Sequence, residues 1–143
     1  MGELAQAVGR SRGGRTTKIH AVVDGLGRPL AFVLTGGQAH DAPILPELLG
    51  HPTAPLAVVA DKAYDSQAVR QAIRDDGALP VIPARVTARN PQPHDERLYK
   101  LRNIVERFFC RCKDMRRIAT RFDKLASTFL AGVLLVCVLI WLN

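Results

Sequence analysis

The sequence predicts an α/β chain, and three observations carry that reading. Two β-rich runs, TKIHAVVD (17–24) and RPLAFVLT (28–35), flank a Gly-Leu-Gly turn. Two short apolar runs, LAVVA (56–60) and LPVIP (79–83), bracket a segment with helical periodicity. The stretch YKLRNIVERFFCRCK (99–113) repeats its apolar residues with the period of an amphipathic helix.

Size and composition fit one domain with its own core. The chain has 143 residues and 48% hydrophobic content, with ordinary Gly and Pro usage. A formal net charge of +7 and a pI near 9.9 favour a polyanionic partner such as nucleic acid. Three cysteines without a CxxC pair suggest neither a disulfide framework nor a zinc site. Cys110, Cys112 and Cys137 read as reduced core residues of a cytosolic protein. No basic-then-apolar leader opens the sequence, so secretion is not expected.

Residues 5–23 hold no acid, and Arg10, Arg12, Arg15 and Lys18 are spaced through GRSRGGRTTK, which reads as a basic loop. Gly13 and Gly14 would let backbone N–H groups approach a phosphate, and the arginines could bind it bidentately. The two runs that follow form a β-hairpin, with Asp24 as a turn residue. In QAHDAPILPELLG, Asp41 is placed to cap a helix with Pro43 in its first turn and Gly50 at its end. His40 reads as a turn or packing residue and stays outside the site.

LAVVA has the look of a strand buried on both faces, and Asp61 follows it directly. The next helix starts at Asp65 or Ser66, either of which suits an N-cap, so Asp61 is left without an evident structural task. A carboxylate at the C-terminal edge of a strand is where α/β sheets gather ligands, although a strand-end Asp bonded to its own loop is the plainer alternative. After LPVIP comes a polar loop (84–97) leading into the amphipathic stretch.

On that helix Tyr99, Arg102, Glu106 and Lys113 fall within about 60° of one another. Leu98, Leu101, Val105, Phe108, Phe109 and Cys112 form the neighbouring apolar arc, which puts Glu106 at the border between buried and polar faces, partly desolvated and suited to a divalent metal. An Arg102–Glu106 ion pair of about 0.2–0.5 kcal/mol accounts for the same spacing. Between Arg97 and Lys124 ten Lys and Arg stand against three acids, with Phe108, Phe109 and Phe122 interleaved, a candidate DNA track. The uncharged tail ends in FLAGVLLVCVLIWL, shorter than the roughly 20 residues that span a bilayer, so a buried or partner-facing helix is expected over a membrane segment.

Tyr, two residues, Arg, three residues, Glu, six residues, Lys resembles the motif around the catalytic Glu in DDE-type transposases of bacterial insertion sequences, and Tyr99, Arg102, Glu106 and Lys113 match all four of its positions. The stretches Gly9–Asp41, Val58–Ser66, Pro80–Arg85 and Arg117–Phe129 are similar to that family in order, so nearly the whole chain is covered. The resemblance implies a ribonuclease-H-like mixed sheet flanked by helices, with a C-terminal helical segment. It implies Asp61 and Glu106 as catalytic acids and ligands of Mg2+ or Mn2+. Arg10, Arg12, Arg15, Lys18, Tyr99, Arg102, Lys113, Arg116 and Arg117 would bind DNA or support the site. The implied partner is double-stranded DNA, at transposon ends and target, and the implied place is the bacterial cytoplasm, on the nucleoid.

In that fold a central first strand bears the first catalytic Asp. Here MGELAQAV alone precedes the basic loop, with no Asp and no β-rich run. The expectation is therefore a partial catalytic domain over 1–143, lacking the first strand. A two-metal site would need a third carboxylate from an upstream-frame polypeptide or another subunit of a homo-oligomer. A catalytically silent DNA-binding fragment that inhibits a full-length transposase is the alternative, and a small membrane protein is the remote one.

Overall fold

The computed structural model describes residues 7–11, 14–50, 55–121 and 123–142, which form two compact units, one of residues up to Ala39 with those from Ile104 onward, the other His40–Asn103. Each holds one small sheet flanked by helices, giving a mixed α/β chain.

In the first unit the β-branched runs pair as expected. Strands β1 (Gly9–Ser11), β2 (Gly14–Val23) and β3 (Pro29–Gly36) lie in the order β1-β2-β3, all antiparallel. The β2–β3 register runs from Thr17 opposite Gly36 to Val23 opposite Pro29, with a slip at Val22/Val23. Asp24 is the turn residue. Its Oδ1 accepts from the Leu26 and Arg28 amides at 2.9 Å each, its Oδ2 accepts from Arg28 Nε at 2.7 Å, and Gly27 takes the left-handed φ of 82° that closes the loop. The basic segment 9–18 departs from the expected loop. It folds back as β1 against β2, with Arg10 opposite Arg15. Thr16, Thr17 and Ile19 favour the extended chain, and Gly14, at φ 104°, supplies a backbone conformation that other residues resist.

Helix α6 (Ala126–Leu142) covers this sheet. Phe129, Val133, Val136, Cys137 and Ile140 are buried at intervals of three and four residues, against Ile19, Ala21, Val23, Phe32 and Leu34 of the strands. Phe108 and Cys112 of α4 (Asn103–Asp114) and Ile118 of α5 (Arg116–Ala119) complete the core. Near the end of α6, Trp141 donates its indole N–H to the Pro29 carbonyl at 2.9 Å, and the Arg28 guanidinium lies 4.4 Å from the centre of its ring. Leu134, Leu135, Val138 and Leu142 look outward. Among the described residues no helix is long and apolar enough to cross a membrane.

The second unit begins with a 3-10 turn (Ala42–Ile44) and the short α1 (Leu45–Leu49). Asp41 stands at the N-cap position, but its side chain makes no capping hydrogen bond, and the tight 3-10 turn takes the place of the expected first helical turn. Strands β4 (Ala57–Val59) and β5 (Leu79–Val81) pair in parallel, joined through α2 (Gln67–Asp75), the βαβ unit that the alternating signals predict. Ser66 caps α2 by accepting from the Val69 amide at 3.2 Å. Gly77, at φ 80°, ends it with a Schellman pair of bonds, Ala78 N–H to Ile73 O and Gly77 N–H to Arg74 O. Leu45, Val69, Ile73, Ala78 and Ile82 form the core.

Two expectations fail here. β4 is half-buried rather than buried on both faces, and Leu56 before it is 95% exposed, because among the described residues β4 pairs along one edge only. The stretch 99–113 is not one regular α-helix. α3 (Glu96–Tyr99), capped by Asp95, passes through a 3-10 turn (Lys100–Arg102) into α4. At about three residues per turn the 3-10 segment departs from the uniform 100° step of a regular α-helix.

The two faces of α6 can be told apart by stability. Phe129→Ala, at a site 3% exposed, should cost roughly 3–5 kcal/mol in denaturant unfolding. Leu135→Ala, at a site 57% exposed, should stay within about 0.5 kcal/mol. The opposite ranking would mean that the helix buries its other face.

Candidate active site

Asp61 lies two residues beyond β4, half-buried, at the N-cap of a 3-10 turn (Lys62–Tyr64). Its Oδ1 accepts from the Ala63 amide at 2.8 Å. Asp61 therefore does have a structural task, contrary to the sequence reading, which assigned capping to Asp65 or Ser66. The cap fixes one carboxylate oxygen and leaves Oδ2 outside that bond. Burial raises the Tyr64 hydroxyl pKa to about 12, assisted by the negative charges of Asp41 and Asp61, so the phenol stays protonated beside these acids.

The loop that carries Asp61 is held by Arg70 and Arg85, to which the sequence gives no role, and by Asp65, whose carboxylate pairs with Arg70 instead of capping α2. Arg70, on α2, is 2% exposed, and it donates Nε and Nη2 to Asp65 Oδ1 at 3.0 and 2.8 Å. The same Nη2 reaches the Ile82 carbonyl at 2.7 Å. Asp65 turns its other oxygen to the Arg85 amide at 2.7 Å, and the Arg85 side chain donates Nε to Lys62 O at 2.9 Å and Nη2 to Ala63 O at 2.6 Å. Burial pushes the Asp65 pKa up, but the Arg85 amide and the Arg70 guanidinium together outweigh it and hold the carboxyl below its ordinary value of 3.8.

Glu106, in the first turn of α4, is exposed rather than partly desolvated, because Phe108 and Cys112 take the buried side of that helix. Arg107, Arg111 and Lys113 are exposed on α4, as is Arg116 at the start of α5. Arg117 is exposed too but is tied to Asp123 at 2.5 Å, a hydrogen bond that raises its pKa. Lys18 donates to the Ala39 carbonyl at 2.7 Å and so helps hold the sheet. Arg102 stands 6.0 Å from the ring centre of Tyr99, which His94 meets edge-on at 5.3 Å. Arg10 and Arg15 are backbone register partners in β1 and β2, while Arg12 and Phe122 lie outside the described residues. Cys110 is exposed and not a core residue, since it falls on the solvent side of α4. Cys112 and Cys137 are buried, and burial holds the Cys112 thiol up at about 11, with the neighbouring Cys137 adding to the shift.

Asp61 belongs to the second unit and Glu106 to the first. Among the described residues no three His, Cys, Asp or Glu side chains gather where they could hold a metal ion. Asp24, Asp65 and Asp123 are each committed to an arginine. The donor type of Asp61 and Glu106, hard carboxylate oxygen, suits a divalent cation such as Mg2+.

A family model described as a transposase DDE domain matches residues 4–141. The chain is 40% identical over 129 residues to a protein of Brucella ovis named as a transposase for insertion sequence element IS6501, covering 90% of this chain and 99% of that one. It is 38% identical over 138 residues to one of Burkholderia cepacia named as a transposase for insertion sequence element IS402, covering 89% of this chain and 63% of that relative. No solved structure matches it significantly.

A lowered carboxyl pKa stabilises the fold while the group is ionised. The contribution of Asp65 is therefore complete above 3.8 and is lost as pH falls through its lower folded value. Asp65→Asn should be strongly destabilised in urea at pH 7, because it strands the Arg70 guanidinium. The gap between variant and parent should shrink as the pH is taken below 3.8. A gap that holds constant to pH 2 would remove the ion pair from the account.

Proposed function

We propose, since this chain belongs to the transposase DDE domain family, that it takes part in cleavage and strand transfer of transposon-end DNA, with Asp61 and Glu106 as its catalytic carboxylates. Its function is that of a DNA transposase. The observation that carries the residue assignment is the setting of Asp61, a carboxylate at the exit of a parallel strand whose loop is fixed by a buried ion pair and whose Oδ2 stays outside the cap. Glu106 is assigned to the site on the resemblance of its surroundings, Tyr99, Arg102 and Lys113, to the family's motif.

Asp61 and Glu106 would each offer hard oxygen ligands to a divalent cation, Mg2+ or Mn2+, which when bound would activate a phosphodiester toward attack and stabilise its leaving oxygen. Arg107, Arg111, Lys113 and Arg116, exposed on α4 and α5, together with Arg10, Arg12 and Arg15, bind the DNA backbone, where neutralising phosphates dominates affinity. Tyr99 and Arg102 support the segment that leads into α4. Both units act as parts of one transposase domain in the bacterial cytoplasm. Asp61 and Glu106 supply two acids of a two-metal site, which takes a third carboxylate. The exposed basic side chains of α4 and α5, which need no metal to bind phosphate, would serve equally a second reading, a silent DNA-binding form that competes with an active transposase.

In an assay that supplies transposon-end DNA and a polypeptide bearing the third acid, Asp61→Asn or Glu106→Gln should abolish Mg2+-dependent strand cleavage. DNA binding should remain, or tighten slightly, because each swap removes a negative charge near phosphate. Cleavage at the normal rate by Glu106→Gln would remove that residue from the site. Equal inhibition of an active transposase by the parent chain and by Asp61→Asn would favour the silent reading.

Binding itself should weaken log-linearly with salt. Neutralising two of Arg10, Arg12 and Arg15 should make the slope shallower by about 2. Salt-independent binding would rule out phosphate contacts as its source.

A further inference from the structure

Arg85 follows β5 by four residues, yet its hydrogen bonds go to the loop after β4. Its amide donates to Asp65 Oδ2, and two nitrogens of its guanidinium donate to the consecutive carbonyls of Lys62 and Ala63. Ala63 is also the residue whose amide orients Asp61, at 2.8 Å. One peptide segment therefore carries both contacts. Its N–H grips the carboxylate, and its carbonyls are gripped by Arg85.

We propose that Arg85 is a positioning residue for Asp61. Resting on the reading of Asp61 as a metal ligand, we assign it the task of fixing the 3-10 turn so that Asp61 Oδ1 stays on the Ala63 amide and Oδ2 points in one direction. The chemistry fits the residue type. Two adjacent carbonyls need two donors at a set separation, which the planar guanidinium fork provides and a lysine ammonium does not. Because the guanidinium contacts carbonyls, it orients Asp61 without laying its positive charge on the carboxylate that would take a cation.

Two observations separate this task from fold maintenance. Arg85 is exposed and outside the hydrophobic core, whereas Arg70 is buried and holds Asp65 from the interior. Removing Arg70 strikes the core of the unit. Removing Arg85 frees the turn alone. Groups that orient a metal ligand from behind typically change metal affinity by about 10–100-fold. Arg85 acts through a peptide bond, so its effect belongs at the lower end.

The test uses the full chain and two readouts, Mn2+ affinity from water-proton relaxation and amide hydrogen exchange by NMR, with thermal unfolding alongside. Arg85→Ala should weaken Mn2+ binding roughly tenfold and speed exchange at Ala63 while leaving exchange at Ile73 unchanged. Arg85→Lys should recover part of both effects, and it keeps the test in hand should Arg85→Ala fail to fold. Asp61→Asn should remove the same Mn2+ binding. If Asp61→Asn removes it and Arg85→Ala leaves both affinity and Ala63 exchange as in the parent, the positioning role is overturned and the metal-ligand reading stands. If Asp61→Asn binds Mn2+ like the parent, the metal-ligand reading falls, and the role of Arg85 toward it falls too.

Discussion

A guanidinium taken out of water must find partners for its donors or it costs several kcal/mol, and Arg70 meets that demand with the Asp65 carboxylate and the Ile82 carbonyl. Those partners lie on different segments, so a single buried charge fixes α2 against the loop after β4 and the chain leaving β5. The apolar cluster of Leu45, Val69, Ile73, Ala78 and Ile82 is non-directional and would tolerate small rotations of that loop. The ion pair does not. Asp65 is left with one oxygen facing outward, where the Arg85 amide meets it, and the geometry around Asp61 follows from there.

In the other unit the same positive charge is divided between two uses. Arg28 is held by Asp24 and lies against Trp141, Lys18 reaches the Ala39 carbonyl, and Arg117 is joined to Asp123. Arg121, half-buried with a left-handed φ of 43°, donates to the Ala7 carbonyl and the Thr17 hydroxyl and lies 5.2 Å from the ring centre of Phe129. These cations fasten the hairpin and α6. The exposed basic side chains of α4 and the start of α5 are positioned indirectly, by Phe108, Cys112 and Ile118 turning inward. A net charge read from composition cannot separate the two uses, since both raise the pI alike.

What could be read from the sequence was what depends on near neighbours. The hairpin over 17–35, the Asp24 turn, the Ser66 cap and the apolar stripe of α2 follow from β-branching, turn residues and helical spacing. Asp61 as a cap was also legible, since Asp before Lys-Ala-Tyr is a good N-cap, although the longer helix at Ser66 carries the stronger local signal. Arg70, Asp65 and Arg85 could not be found this way. Apart from the Arg70–Asp65 pair, five positions apart, their bonds join residues 12 to 23 positions apart, and periodicity carries no information about such pairs. The 3-10 segment at Lys100–Arg102 has no marker residue, so the 100° step of a regular α-helix, extended across it, puts Tyr99 and Arg102 on a stripe that assumes α-helical geometry throughout. The resemblance to the family's motif there rests on spacing in sequence, which does not depend on the helix being regular.

The first unit is assembled from the beginning and the end of the sequence, and this sets an order in time. Ile19, Ala21, Val23, Phe32 and Leu34 leave the ribosome long before Phe129, Val133 and Ile140 exist to cover them. At about 5–20 residues per second the hairpin waits roughly 5–20 s for α6. During that interval its apolar face is open to other nascent chains, while the segment 40–103 can already close on its own core. Expression of this protein should thus respond to chaperone supply and to slower synthesis at low temperature more than its final stability would suggest.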